Sequence, residues 1–216
     1  MINSRNTFEQ NQMELIKNNI QLFYINSQTM RKYIFSLAVL IFTFGNFKSQ
    51  AQTQKSEGSD FFNTVVNNHD QLYQLSCIPS AVEMILKYYK VVDFDFYDLQ
   101  EKWKNKSDGS FHDFDNKKLF GITFSQKFVL PRDKSFPIDS LFKTIEKELS
   151  VNKKVIISLP SESGWHMFVI CDQTSDGEFI SYSKLGTHTL ILRNTKEIVK
   201  SSNGTEILTY RIDPQL

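Results

Sequence analysis

Two cysteines are the only thiols in 216 residues, too few for a small scaffold stapled by several disulfides. Basic residues barely exceed acidic ones, 25 to 24. With no basic stripe to neutralise phosphates, nucleic acid is excluded as the main partner. No apolar run is long enough for a convincing membrane span, which needs about 20 residues. There is no GxSxG, HExxH, Walker or dinucleotide-binding pattern, no internal repeat and no low-complexity tract. What remains is ordinary globular composition, 40% hydrophobic and 23% charged, enough for one sizeable core and too little for two comfortable domains.

The first 60 residues divide into three parts. Met30-Arg31-Lys32 is a positive n-region, Tyr33 to Phe44 an apolar h-region, and Ser49-Gln50-Ala51 resembles a small-x-small cleavage site before Gln52. That is the pattern of a secretory signal peptide over residues 30–51. It implies a secreted or periplasmic protein that meets the membrane only through the uncleaved signal. Met30 then reads as the initiator, with residues 1–29 an upstream extension outside the mature fold; the alternative is a genuine extension with an internal anchor helix. Residues 52–60 read as a polar linker, and residues 61–216 as one domain.

Within that domain, Ile78, Ala81, Val82, Ile85, Leu86 and Tyr89 recur at helical spacing, with Glu83, Lys87 and Lys90 on the other side. A second helix is expected from Asp95 to about Trp103, then a loop over Lys104–Lys118. A strand over Ile122–Leu130 precedes an amphipathic helix marked by Ile138, Leu141, Phe142, Ile145 and Leu149. Val155–Leu159 reads as a buried strand. His166–Cys171 and Glu178–Ser183 read as a hairpin around Ser175-Asp176-Gly177, and His188–Asn194 and Glu206–Ile212 as two more strands with Asn203-Gly204 as a turn between them. Helices first and antiparallel strands second make an α+β fold.

Cys77 opens the first of these helices, with Pro79 just behind it. A helix N-terminus offers free N–H groups and partial positive charge, which favour thiolate. His166 heads an apolar strand and is the best candidate base. Gln71, six residues before Cys77, is a candidate oxyanion donor; its rival Gln74 is expected to point to solvent. The competing reading is a Cys77–Cys171 disulfide. Alternation along the strand opposes it, because His166 and Cys171 face opposite ways with Cα atoms roughly 16 Å apart. Cys77 therefore meets one or the other, and Cys171 reads as a buried structural thiol. His69 lies in a polar Asn-Asn-His-Asp turn, and His112 beside Asp113 and Asp115 matches no metal-ligand spacing.

Gln71, Cys77, Pro79, Ser80-Ala81, Met84 and Tyr88-Tyr89 resemble the papain-like cysteine peptidases of the bacteriocin-processing, double-glycine leader peptidase type, in which a Gln-x5-Cys-Gly-Pro-like segment opens the helix and an apolar strand headed by His follows. The resemblance spans roughly Phe61 to Gly186. It implies a papain-like fold, with N-terminal helices packed on a C-terminal antiparallel sheet, and cleavage of peptide or amide bonds through an acyl-enzyme. It makes Cys77 the nucleophile, His166 the base and Gln71 the oxyanion donor. The partner implied is a peptide or protein substrate acted on by a monomer without metal or cofactor. Ile78 stands where the family has Gly, and papain's own Cys-Trp is missing. The family's third member, an Asp, aligns best with Tyr182, which leaves Tyr182 or Ser183 to orient the imidazole. A catalytically weak or inactive relative, acting as a secreted peptide-binding module, is the alternative.

Overall fold

The computed structural model describes residues 57–161 and 164–214; the signal-like segment and the upstream extension lie outside the described residues. The order is α1 (Glu57–Asn67), α2 (Cys77–Tyr88), α3 (Asp98–Lys102), a 3-10 turn (Phe111–Phe114), β1 (Lys118–Leu119), β2 (Ile122–Lys127), α4 (Ile138–Ser150), β3 (Val155–Ser161), β4 (Gly164–Gln173), β5 (Phe179–Leu185), β6 (His188–Leu192), α5 (Thr195–Ser201) and β7 (Ile207–Ile212). Mixed helices and an antiparallel sheet make the chain α+β. Among the described residues, no helix is long and apolar enough to cross a membrane.

The strands form one sheet in the order β1-β2-β7-β3-β4-β5-β6, antiparallel throughout. Its two faces carry separate cores. On one, Met167, Val169, Ile156, Leu208 and Phe124 meet Val65, Ala81, Ile85 and Leu86 of α1 and α2. On the other, Phe168, Ile170, Ile157 and Ile207 meet Leu141, Phe142 and Ile145 of α4 and Val199 of α5. Successive residues of β4 thus alternate between cores, as a strand buried on both faces must.

Several expectations are corrected. Glu57 to Asp60, read as linker, belong to α1. The helix expected from Asp95 starts at Asp98, because a turn closes first, with Phe96 N–H donating to Asp93 O at 3.2 Å. The expected loop contains the 3-10 turn, held by a capping box between Ser110 and Asp113. The strand begun at Ile122 ends at Lys127, before Phe128 adopts a positive φ of 62°. Asn203-Gly204 does not join two paired strands: α5 intervenes, and β7 crosses to the middle of the sheet.

The largest correction concerns α2. Its polar side is not solvated: Ser80, Glu83 and Lys87 are buried with the apolar residues. Lys87 Nζ donates to His69 Nδ1 at 2.9 Å, and His69 Nε2 lies 3.0 Å from Ser80 Oγ. His69, read as part of a polar turn, is wholly buried and stacked on Tyr97 with centroids 5.3 Å apart. Burial, then the Lys87 charge, holds its imidazole well below the ordinary range.

Candidate active site

Cys77 is the first residue of α2, half-buried against the core that α1 and α2 share with the sheet. Pro79 falls in the first turn, where its missing N–H costs nothing. β4 runs beside α2, and the main-chain N–H of Met167, next to His166, donates toward Cys77 Sγ. Cys77 and His166 line one cleft of about 430 Å³ with Gln74, Leu75, Ser158, Trp165 and Leu185 among others. Across its rim Arg132 stacks on Trp165 at 3.7 Å and pairs with Glu206 at 3.6 Å.

The imidazole is anchored from β5. His166 Nε2 lies 2.7 Å from Ser183 Oγ, which donates its proton to Met167 O at 2.5 Å. A hydroxyl has one proton, and a carbonyl only accepts. With that proton committed to Met167, Ser183 must accept from His166, so Nε2 carries hydrogen and Nδ1 is the basic nitrogen. Of the two residues the sequence left open, Ser183 makes this bond. Tyr182 stands opposite Val169 on the other face of β5, its ring edge-on to Phe62 with centroids 6.3 Å apart.

A bulge decides between them. Asp172 pairs with Ile180, but Ile170 pairs with Ser181, a register shift at Cys171. Had the register next to the turn continued, Ile170 would face Tyr182, and Tyr182 would share the face of His166. One residue of slip exchanges the faces.

Gln71 is placed differently from the cleft-lining residues. It is buried, and its Nε2 donates to Tyr73 O at 2.9 Å and Gln74 O at 3.2 Å. Its Oε1 is buried without a hydrogen-bond partner. Gln74 is exposed, as expected, and lines the cleft with Cys77. Cys77 and Cys171 are both free thiols. Cys171 sits in the core shared with α1 and α2, with Met167 and Val169, while His166 lies edge-on to Phe168, ring centroids 5.4 Å apart.

The electrostatics describe a neutral resting pair. Burial pushes the Cys77 thiol up, against the downward pull of hydrogen bonds from the Met167, Ile78 and Cys77 backbone. Burial also draws the His166 imidazole down, and the Lys184 backbone pulls it the other way. Burial drives the Cys171 thiol to about 12, where it is inert. Among the described residues, no group of three or more His, Cys, Asp or Glu side chains is arranged to hold a metal ion. Asp113 instead pairs with Lys106 at 3.2 Å, and Asp115 accepts from Gln126 N–H at 2.8 Å.

Compared with protein-family models and with curated proteins, the chain matches none.

Proposed function

We propose that this chain is an exported, papain-like thiol hydrolase that cleaves peptide or amide bonds through Cys77 and His166. The observation carrying the reading is the bond chain from His166 Nε2 through Ser183 Oγ to Met167 O, which reserves Nδ1 as a base within the cleft that Cys77 lines. A thiol hydrolase needs that tautomer; a histidine serving only to end a strand does not.

In this mechanism Nδ1 takes the thiol proton as Sγ adds to the substrate carbonyl, so neutral thiol, imidazole and carbonyl become an imidazolium and a tetrahedral sulfur adduct bearing an oxyanion in one event. The oxyanion meets the Cys77 N–H at the start of α2 and an amide N–H of Gln71, which must exchange its bond to Tyr73 or Gln74 to reach it. Collapse expels the amine with the imidazolium proton, and water, deprotonated by the same nitrogen, then hydrolyses the thioester. Ser183 keeps its bond to Nε2–H throughout. The second reading, a peptide-binding module that has lost turnover, is favoured by the raised thiol and by the engaged Gln71 amide.

Hydrolysis of a peptide library by the wild-type protein, Cys77→Ala and His166→Ala separates the two. Turnover by wild type that vanishes in Cys77→Ala and nearly vanishes in His166→Ala supports the hydrolase. Peptide binding without turnover in all three supports the module.

A further inference from the structure

The segment Asp70–Ser76 leads into the nucleophile and carries Gln71, yet a buried amide outside the cleft fastens it at three points. Gln100, on α3, is wholly buried. Its Oε1 accepts from Leu72 N–H at 2.8 Å and lies 2.7 Å from Ser76 Oγ. Its Nε2 donates to Asp70 O at 3.0 Å and to Glu83 Oε2 at 2.7 Å. The amide's bonding capacity is thus filled, and three of the four contacts fall on this one segment, at its start, near its middle and at its end. Glu83 holds the clasp from α2, its Oε1 accepting from Leu99 and Gln100 N–H at 2.9 and 3.1 Å.

Resting on the thiol-hydrolase reading, we propose that Gln100 is a positioning residue for the Cys77 centre. It never touches substrate. It fixes the Asp70–Ser76 segment against α2, and with it the two features of that segment that the oxyanion needs: the Gln71 amide and the backbone entering Cys77. A buried amide serving only to fill space between α2 and α3 would not need to bond both ends of the loop before the nucleophile. Because Gln100 acts on the oxyanion side of the centre, its loss separates two reactions of the same sulfur. Alkylation by iodoacetamide displaces iodide from a saturated carbon and develops no oxyanion. Acylation by p-nitrophenyl acetate adds Sγ to the carbonyl carbon, passes through an oxyanion and expels p-nitrophenolate, leaving an acetyl thioester that water hydrolyses to acetate.

The test measures both rates on the wild-type chain and on Gln100→Leu, with Ser76→Ala as a milder second variant should the first fail to fold. Expected is a fall of about 10- to 100-fold in acylation, with alkylation held within about threefold, and a smaller fall of the same pattern in Ser76→Ala. Equal falls in both rates mark general loosening and overturn the proposal, as does unchanged acylation. If wild-type Cys77 reacts with neither probe faster than the urea-unfolded chain, the hydrolase reading itself fails, and the positioning role with it.

Discussion

Removing the Ser183 hydroxyl is the sharpest test of the proposed centre. In Ser183→Ala, Nε2–H of His166 loses its side-chain acceptor, and Met167 O loses a donor. The ring is then free to turn or to change tautomer. The bond matters most when the ring is charged, because hydrogen bonds to charged groups contribute about 1.5–3 kcal/mol. If that stabilisation belongs to the imidazolium formed during acylation, kcat falls by about 10- to 100-fold with KM little changed. Ser183→Thr keeps the hydroxyl on a strand that tolerates β-branching, and is expected to stay near wild type. Ser183→Asp adds a negative charge beside Nε2, which favours imidazolium and raises the His166 pKa; the acid limb of the pH–rate profile then moves to higher pH. The assay is steady-state hydrolysis of one peptide substrate from pH 5 to 9, with thermal unfolding of each variant run alongside. A folded Ser183→Ala enzyme within about threefold of wild type, while Cys77→Ala is dead, refutes the orienting role.

Three further outcomes follow from the same geometry. The raised Cys77 thiol predicts slow iodoacetamide labelling at pH 6, accelerating only above the ordinary thiol range; fast labelling at pH 6 would reveal a preformed thiolate. Burial raises the Glu83 carboxyl from 4.5 to about 7, so the folded state binds its proton more tightly than the unfolded state does. Its contribution is present below pH 4.5 and is lost as pH rises through about 7, by at most about 3 kcal/mol. The lowered imidazole of His69 acts oppositely, losing stability as pH falls below 6.5. Urea titrations from pH 4.5 to 8 should therefore show Glu83→Gln losing the decline seen on the alkaline side, and an unchanged profile would place no titration at Glu83. Gly204 has a φ of 106°, and a Cβ there would sit 2.2 Å from Phe136 Cγ, so Gly204→Ala should destabilise by about 2–4 kcal/mol; an unshifted Tm would contradict this.

Much of the scaffold could be read before the structure, and the reasons differ by element. The apolar spacing of α2 and the two-sided apolar run of β4 are local signals, so both elements were legible, and with them the places of Cys77 and His166. The choice between Tyr182 and Ser183 was not. It turns on a single bulge at Cys171, and period-2 alternation carries no mark of where an extra residue is absorbed. The burial of Ser80, Glu83 and Lys87 was equally hidden. Polar residues on one side of a helix normally face water; here His69, Tyr97 and Gln100, distant in sequence, arrive to satisfy them. α5 was missed because its seven residues hold too few turns to show a period against the strong Asn203-Gly204 turn signal.

The place of β7 has a consequence for how the chain reaches this state. Last of the strands in chain order, it lies between β2 and β3 and pairs with both. Until it emerges, β1–β2 and β3–β6 are two separate ribbons with facing edges unpaired, and Ile207 and Leu208 are missing from opposite cores. Closure must also wait on contacts between residues about 80 positions apart, such as Gln126 Nε2 and Glu206 Oε2, and such distant pairings form slowly. Synthesis therefore delivers β1 to β6 before the sheet can close. The seven-stranded sheet thus stays in two parts until β7 arrives.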